Sequence, residues 1–136
     1  MSASRRKARY LCCQALYQWR LSEQAPAVIL RQFIEKNSDI RYDSQYFSTL
    51  FIGVSEHYQT LYAVLLPVVE ETVLTPIEEL VLLVGIYELQ YQAEVPTAVV
   101  INEALLTAKK FGTTEGYTYV NALLDRLARE LRHEGK

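Results

Sequence analysis

The first twenty residues are rich in cationic and aromatic side chains and contain no carboxylate. The cations are Arg5, Arg6, Lys7, Arg9 and Arg20, and two tyrosines, Tyr10 and Tyr17, lie among them. Guanidinium groups can hold a phosphate through two parallel hydrogen bonds, and tyrosine rings are platforms on which unpaired bases stack. This mixture favours a surface that binds single-stranded RNA, and the alternative is an ordinary solvated helix face.

Helical geometry predicts that these side chains share one face. At about 100° per residue, and with Arg5 placed at 0°, the set lies between roughly 0° and 140°. The apolar residues of the segment cluster on the other side. We therefore expect a solvent-facing stripe made of Arg5, Arg6, Arg9, Arg20, Tyr10 and Tyr17.

The charges are strongly separated along the chain, although the net charge is only −2. No Lys or Arg occurs from Tyr42 to Ala108, a stretch that contains nine acidic residues. This separation predicts a cationic surface for a polyanion and an anionic surface for a basic partner. The alternative is that folding brings the two sets together, so that they neutralise each other.

A second group of candidate RNA-binding residues lies near the C-terminus. Lys109 and Lys110 end a predicted helix, where cations also stabilise the helix dipole. The turn from Gly112 to Gly116 would then bring Lys109 close to Tyr119. A second contact region for RNA is therefore expected here.

The remaining reactive side chains do not form a catalytic or metal-binding pattern. His57 and His133 are far apart in sequence and have no evident nucleophile or metal ligand beside them. Cys12 and Cys13 are adjacent, which disfavours the geometry of a disulfide between them, and reduced thiols are expected. We expect no enzymatic activity, no cofactor and no metal.

Four polar residues near the C-terminus could suggest an active site, but a structural role explains them better. Asn and Glu side chains at such spacings can form hydrogen bonds between helices and fix how the helices dock. The four residues are Asn102, Glu103, Asn121 and Asp125.

The segments that carry these residues are predicted to be helical throughout. Apolar residues recur at helical spacing over 3–21, and Pro26 suits the first turn of a helix that ends near Lys36. Asp43 or Ser44 would cap one long helix that extends through Leu65 and is ended or bent by Pro67.

Three more helices are expected in the second half. Thr75–Glu78 has the form of a capping box, and residues 80–87 are apolar on nearly all sides, which predicts a central helix with Gly85 at a close approach. A fifth helix would begin at Pro96 or Thr97 and end at a left-handed Gly112. Thr114 would cap the last helix.

The 136 residues therefore predict a single all-α domain of six or seven helices. A break near residues 67–75 divides it into two packed three-helix sub-bundles, about 1–66 and 67–136. No apolar run approaches the ~20 residues of a membrane span, and no signal peptide is recognisable. A cytoplasmic location is expected.

Several segments, in order, resemble the NusB family of bacterial transcription antitermination factors. The strongest are V-P-T-A-V-V-I-N-E-A at 95–104, A-K-K-F-G at 108–112 and Y-V-N-A-L-L-D-R-L-A at 119–128, preceded by Q-A-L-Y-Q-W at 14–19. The resemblance implies an all-helical fold of two three-helix bundles. It also implies pairing with NusE, a ribosomal protein, and joint binding of the boxA element of nascent RNA, which helps the elongation complex to transcribe ribosomal RNA operons.

The resemblance also implies roles for individual residues. Arg5, Arg6, Arg9, Tyr17 and Tyr119 would touch RNA, in addition to Lys109 from the spacing argument above. Glu78, and with it Tyr87 and Glu88, would lie on the side that faces NusE. The chain departs from the family pattern at Thr118, Ala122 and Leu83.

Two alternatives stay open at this level. Some ribosomal RNA cytosine methyltransferases carry a NusB-like N-terminal module, which this chain would match only as a fragment. The other alternative is a helical adaptor that binds protein and not RNA. Self-association to a homodimer is also possible from the apolar residues that remain.

Overall fold

The computed structural model describes residues 4–69 and 73–132, and this part of the chain contains seven helices and no strand. The predicted all-α class is confirmed. The helices are α1 (Arg5–Leu21), α2 (Pro26–Lys36), α3 (Ser44–Glu56), α4 (Tyr58–Val69), α5 (Pro76–Tyr91), α6 (Thr97–Phe111) and α7 (Thr114–Arg132). No helix in the described ranges is both long and apolar enough to cross a membrane.

Side chains at the helix starts explain most of the boundaries. The Ser4 hydroxyl accepts a hydrogen bond from the backbone N–H of Lys7, and the Asp43 carboxylate accepts one from Tyr46. Each bond satisfies an N–H that has no partner within its own helix. The predicted capping box of Thr75 and Glu78 is present in full.

Helix α5 is the centre of the fold, as its apolar composition predicted. Residues 80–89 are all buried, and α5 packs against α1, α3, α4, α6 and α7. Gly85 permits a close approach, because a Cβ there would lie 2.9 Å from a methyl group of Leu124. In addition, α1, α2 and α3 pack against one another, as do α5, α6 and α7. The boundary between the two sub-bundles stays a prediction.

The prediction of one long third helix is wrong, because the chain breaks at His57. Its backbone N–H still bonds to Gly53, and its own carbonyl accepts from Leu61, so one helix ends where the next begins. The His57 ring stacks on Tyr91 with centroids 4.8 Å apart, which ties the break to the end of α5. Pro67 does not end α4, which continues to Val69.

The turn between α6 and α7 also differs from the prediction. Gly112 is extended and not left-handed (φ −105°, ψ −165°). A Cβ at Gly112 would lie 2.5 Å from Glu78 Oε2, so glycine is required for close approach and not for its dihedral angles. The cap of α7 is Thr113 and not Thr114, since the Thr113 hydroxyl accepts from the N–H of Gly116 at 2.9 Å.

The last turn of α7 is anchored to the end of α5. The guanidinium of Arg132 donates to the carbonyls of Leu89 (2.9 Å), Gln92 (3.0 Å) and Val95 (2.7 Å). These carbonyls belong to a helix end and the loop after it, where partners within the helix are missing. Arg132 therefore holds α7 and the α5–α6 loop in a fixed relation.

Candidate nucleic-acid interface

Arg9 does not lie in an exposed stripe, so that part of the sequence prediction is wrong. Its side chain is only 6% exposed and forms an ion pair with Glu88, which is 2% exposed. Arg9 Nε lies 3.0 Å from Glu88 Oε1, and Arg9 Nη2 lies 2.9 Å from Glu88 Oε2. Burial disfavours the cation, but the hydrogen bonds and charge of Glu88 outweigh it and raise the pKa of Arg9.

The Arg9–Glu88 pair belongs to a larger polar cluster that joins four helices. The Tyr46 hydroxyl donates to Glu88, and burial together with this carboxylate raises the pKa of Tyr46. The Arg5 guanidinium lies over the Tyr46 ring at 4.0 Å, and Glu103 of α6 lies 3.6 Å from Arg9 Nη1. The cluster fixes α1 against α3, α5 and α6 because every member is satisfied.

The other three arginines of α1 also have acidic partners. Arg6 is paired with Glu103 at 2.9 Å, Arg20 with Glu79 at 3.0 Å, and Arg5 with Asp43 at 3.6 Å. All of these acids come from the stretch that lacks Lys and Arg. The predicted separation into a cationic and an anionic surface is therefore wrong for the arginines, because folding brings the two sets together.

A different set of α1 side chains forms the exposed stripe. Lys7, Tyr10, Gln14 and Tyr17 follow one another at spacings of three and four residues, which places them on one helix face. Lys7, Gln14 and Tyr17 are exposed, and Tyr17 shows 41% of its surface. Tyr17 thus lies where the sequence placed it. Lys7 and Gln14 were missed, although their spacing from Tyr17 could have identified them.

The end of α6 continues this stripe. The Tyr10 ring meets Phe111 edge to face at 5.9 Å, and the Lys110 ammonium lies 5.2 Å from the centre of the Tyr10 ring. Lys109 and Lys110 are exposed and, like Lys7, form no ion pair with any described residue. These lysines, unlike the arginines of α1, are cations that no carboxylate of the described residues already holds.

An open groove of about 950 Å³ lies beside the stripe. Its walls come from α1, the end of α2, the start of α5 and the α6–α7 turn, and they combine aromatic rings with side-chain amides. The wall residues with an aromatic ring, an amide or a cation include Gln14, Tyr17, Gln18, Lys36, Asn37 and Phe111. Rings can stack on an unpaired base, and amides can form hydrogen bonds with its edges. This groove is a candidate site for nucleotides of single-stranded RNA.

Tyr119 lies on the second turn of α7 and is 41% exposed. Tyr117, two residues earlier, is also partly exposed. Both follow the turn that begins after Lys110 and Phe111, so α7 adds aromatic side chains to the region where α6 ends. The expected proximity of Lys109 and Tyr119 stays a prediction.

Glu78, which the resemblance placed on a partner-facing side, is buried. Its carboxylate accepts hydrogen bonds from the backbone of Thr75 and from the backbone and hydroxyl of Thr113. A Cβ at Gly116 would lie only 1.7 Å from Glu78 Oε2. Burial opposes the charged form, but the hydrogen bonds from Thr113 and Thr75 prevail and lower the pKa of Glu78. Glu78 therefore fixes the α6–α7 turn.

The two other candidate partner residues are buried as well. Glu88 belongs to the Arg9 cluster, and Tyr87 packs over Gly53, where a Cβ would lie 2.2 Å from its ring. Tyr87 also stacks on the exposed Tyr91 with centroids 4.9 Å apart. These side chains are not exposed, so a partner would meet their exposed neighbours first, and their place on the side that faces NusE stays a prediction.

Of the four polar residues near the C-terminus, only Glu103 connects helices as expected. It binds Arg6 and Arg9 of α1, whereas Asp125 pairs with Arg129 within α7. Asn102 and Asn121 are exposed. Within residues 4–69 and 73–132, no three His, Cys, Asp or Glu side chains are arranged to hold a metal ion.

Comparison with known proteins identifies the family. The chain matches the model of the NusB family over residues 6–129. A transcription antitermination protein NusB from Idiomarina loihiensis is 43% identical over 126 residues, which cover 91% of each chain. The chain belongs to the NusB family.

Further relatives agree with this assignment. A NusB from Alcanivorax borkumensis is 41% identical over 133 residues, which cover 96% of this chain and 89% of that one. The solved T. maritima NusB superposes with a TM-score of 0.83 at 27% identity, covering 96% and 94% of the two chains. A solved complex of NusB and NusE with double-stranded RNA contains the same fold, with a TM-score of 0.82 at 20% identity and coverage of 93% and 96%. Both of these curated relatives are transcription antitermination proteins.

Proposed function

We propose that this protein is a transcription antitermination factor that binds boxA-type RNA together with NusE and promotes processive transcription of ribosomal RNA operons. Membership of the NusB family supports the activity, and a NusB of the same fold has been solved with NusE and double-stranded RNA. The observation that carries the RNA-binding part is the exposed rings beside the groove, together with lysines that form no ion pair with the described residues. The match over about nine-tenths of the relatives' length favours this function over a methyltransferase module.

The RNA-contacting residues follow from exposure and pairing. Tyr17, Lys109 and Tyr119 would touch RNA directly, and Lys110 joins them because it lies beside Tyr10. Their cations bind phosphates, and their rings stack on unpaired bases.

The α1 arginines have graded roles in this proposal. Arg5 and Arg6 reach RNA only with the parts of their guanidinium groups that their carboxylate partners leave open. Arg9 acts from inside by holding α1 in place and does not touch RNA.

The NusE-facing surface would lie around the exposed neighbours of the buried partner residues. Glu78 fixes the first turn of α5, and Tyr87 and Glu88 support the end of the same helix, where Tyr91 is exposed. Helix α4 has no charged residue and exposes Leu66 beside a small apolar groove. An uncharged helix face of this kind suits contact with a protein better than contact with RNA. We also propose that the protein is cytoplasmic and has no catalytic activity.

Fluorescence anisotropy of labelled boxA-type RNA tests the proposal, with this protein alone, NusE alone and the two together. We expect weak binding to each protein and much tighter binding to the pair, because two modest surfaces act on one ligand. If adding NusE does not change the affinity, joint binding is refuted. If RNA binds to neither the protein nor the pair, an adaptor that binds only protein is the better description.

A double variant tests whether the lysines at the end of α6 bind RNA. Lys109→Ala with Lys110→Ala should weaken RNA binding and reduce the salt slope by about 0.7 for each phosphate that the protein no longer neutralises. Arg126→Ala with Arg129→Ala removes the same charge from the later part of α7 and is the matched control. Equal losses of affinity in both double variants would mean that only net charge matters and that the proposed interface is wrong.

A further inference from the structure

We propose that Glu103 sets the strength of RNA binding, because its carboxylate occupies the Arg6 guanidinium that an RNA phosphate would otherwise bind. This inference rests on the proposed RNA-binding function and deepens it. In this view Glu103 takes the place of an RNA phosphate on Arg6 and determines how readily RNA binds to α1.

The geometry of the Arg6–Glu103 pair supports this role. Arg6 Nε lies 3.1 Å from Glu103 Oε1, and Arg6 Nη2 lies 2.9 Å from Glu103 Oε2. A phosphate uses the same two parallel bonds with the same edge of a guanidinium. The carboxylate and a phosphate therefore compete for one edge of Arg6.

The exposure of Arg6 means that this competition would take place at the protein surface. The Arg6 side chain is 52% exposed, whereas Glu103 is 10% exposed and holds the guanidinium from below. The hydrogen bond and charge of Glu103 raise the pKa of Arg6. An open pocket of about 430 Å³ lies over this pair, and both residues contribute to its walls. A phosphate group can thus approach Arg6 from solvent.

The charges around the pocket single out Glu103. Arg9 is matched by Glu88 inside the protein, and Arg5 is matched by Asp43. Glu94 also contributes to the walls of the pocket. Removing the charge of Glu103 would leave Arg6, the most exposed arginine of the cluster, without its carboxylate partner.

The other two carboxylates have structural roles. Glu88 is the buried partner of Arg9, and Asp43 caps α3 through the N–H of Tyr46. Glu103 lies in the middle of α6, where its charge caps no helix end. Glu103 also lies 3.6 Å from Arg9 Nη1, but Arg9 keeps Glu88 as its buried partner, so among the three carboxylates the charge of Glu103 is the one whose removal should disturb the fold least.

The test is Glu103→Gln, which keeps an oxygen for Arg6 and removes only the negative charge. RNA affinity is measured from about 50 to about 200 mM salt with boxA-type RNA and with oligouridylate, in the presence and absence of NusE. One more phosphate bound on a single strand steepens the salt slope by about 0.7, which is roughly fivefold tighter binding at 0.1 M salt. Asp125→Asn is the matched control, because it also removes one carboxylate from an arginine, Arg129, on the exposed face of α7.

The role of Arg6 is tested in the wild type and in the Glu103→Gln variant. Arg6→Ala should cost less than about twofold in the wild type, where the guanidinium is already occupied, and should abolish the gain of Glu103→Gln. If Glu103→Gln does not fold by circular dichroism, the wild-type arm decides alone. A fivefold loss of affinity for Arg6→Ala would then show that Arg6 already binds phosphate and would overturn the proposal.

The remaining outcomes are equally decisive. Unchanged or weaker RNA binding by a folded Glu103→Gln overturns the inference but leaves the proposed function intact if the wild type binds RNA. An equal gain in Asp125→Asn overturns it too, because net charge would then explain the effect. If no variant binds RNA even with NusE, the proposed function fails and this inference fails with it.

Discussion

Replacing Arg9 with methionine is expected to destabilise the protein strongly. The substitution keeps most of the side-chain volume, so the cavity left behind is small. It removes the cation from a pair in which Arg9 is 6% exposed and Glu88 is 2% exposed. Glu88 would keep the Tyr46 hydroxyl as a donor but would lose its counter-charge inside the protein.

The magnitude follows from the cost of an uncompensated buried charge. Breaking a buried ion pair from one side typically costs about 3–5 kcal/mol. Domains of this size have a free energy of unfolding of about 5–15 kcal/mol, so the loss is a large part of the total. At roughly 3–5 °C per kcal/mol, the Tm should fall by roughly 10–20 °C.

Urea unfolding and thermal unfolding, both followed by circular dichroism, measure the loss of stability, with Arg6→Met as the matched control. Arg6 is half exposed, so its variant should keep a Tm close to that of the wild type. Adding Glu88→Gln to Arg9→Met should recover part of the lost stability, because the unpaired charge is then removed. A free energy of unfolding for Arg9→Met within about 1 kcal/mol of the wild type would refute the structural role of the pair.

Three further predictions concern the polar contacts that fix the helices. Gly116→Ala should lower the Tm in thermal unfolding, because the new Cβ would lie 1.7 Å from Glu78 Oε2. Adding Glu78→Ala should restore part of the lost Tm. An unchanged Tm for Gly116→Ala would contradict this packing. The lowered pKa of Glu78 means that its stabilising charge is complete above pH of about 4.5 and is lost as the pH falls toward its lower folded-state value. Wild-type stability should therefore decline more steeply with acid than that of Glu78→Gln, and parallel pH profiles would count against this. Tyr46→Phe should cost about 1–3 kcal/mol in urea unfolding by removing a donor from buried Glu88, whereas no change would show that this hydrogen bond is dispensable.

The helices could be predicted from the sequence because their signals are local. The capping box at Thr75 and Glu78, the proline at position 26 and the continuous apolar run of α5 each act within a few residues. The break at His57 could not be predicted in this way, since no glycine or proline marks it. The stacking of His57 on Tyr91 of a distant helix is part of what holds it.

The ion pairs of the α1 arginines could not be predicted from the sequence. On a helical projection Arg9 is close to Arg5, so a single exposed face is expected for the two arginines. The carboxylate partner of Arg9 is Glu88, which lies 79 residues away. The partner of Arg5 is Asp43, which lies outside α1. Periodicity within one helix does not contain such long-range pairings, and only the folded arrangement shows which arginine is buried.

The candidate interface was predictable in part. Tyr17 is exposed as expected, and Lys109 and Tyr119 are also on the surface. The groove itself requires four helices to meet, and Gln14 and Phe111 are brought together there only by tertiary packing. Local spacing can place residues on a helix face, but it cannot build a groove between helices.

A chemical-shift map of the labelled protein on addition of boxA-type RNA tests the proposed interface most directly. We expect the largest changes at Tyr17, Lys109, Lys110 and Phe111, with Arg9 and Glu88 little affected because they lie inside the protein. Changes confined to α3 and α4, with none along the groove, would contradict the proposed interface.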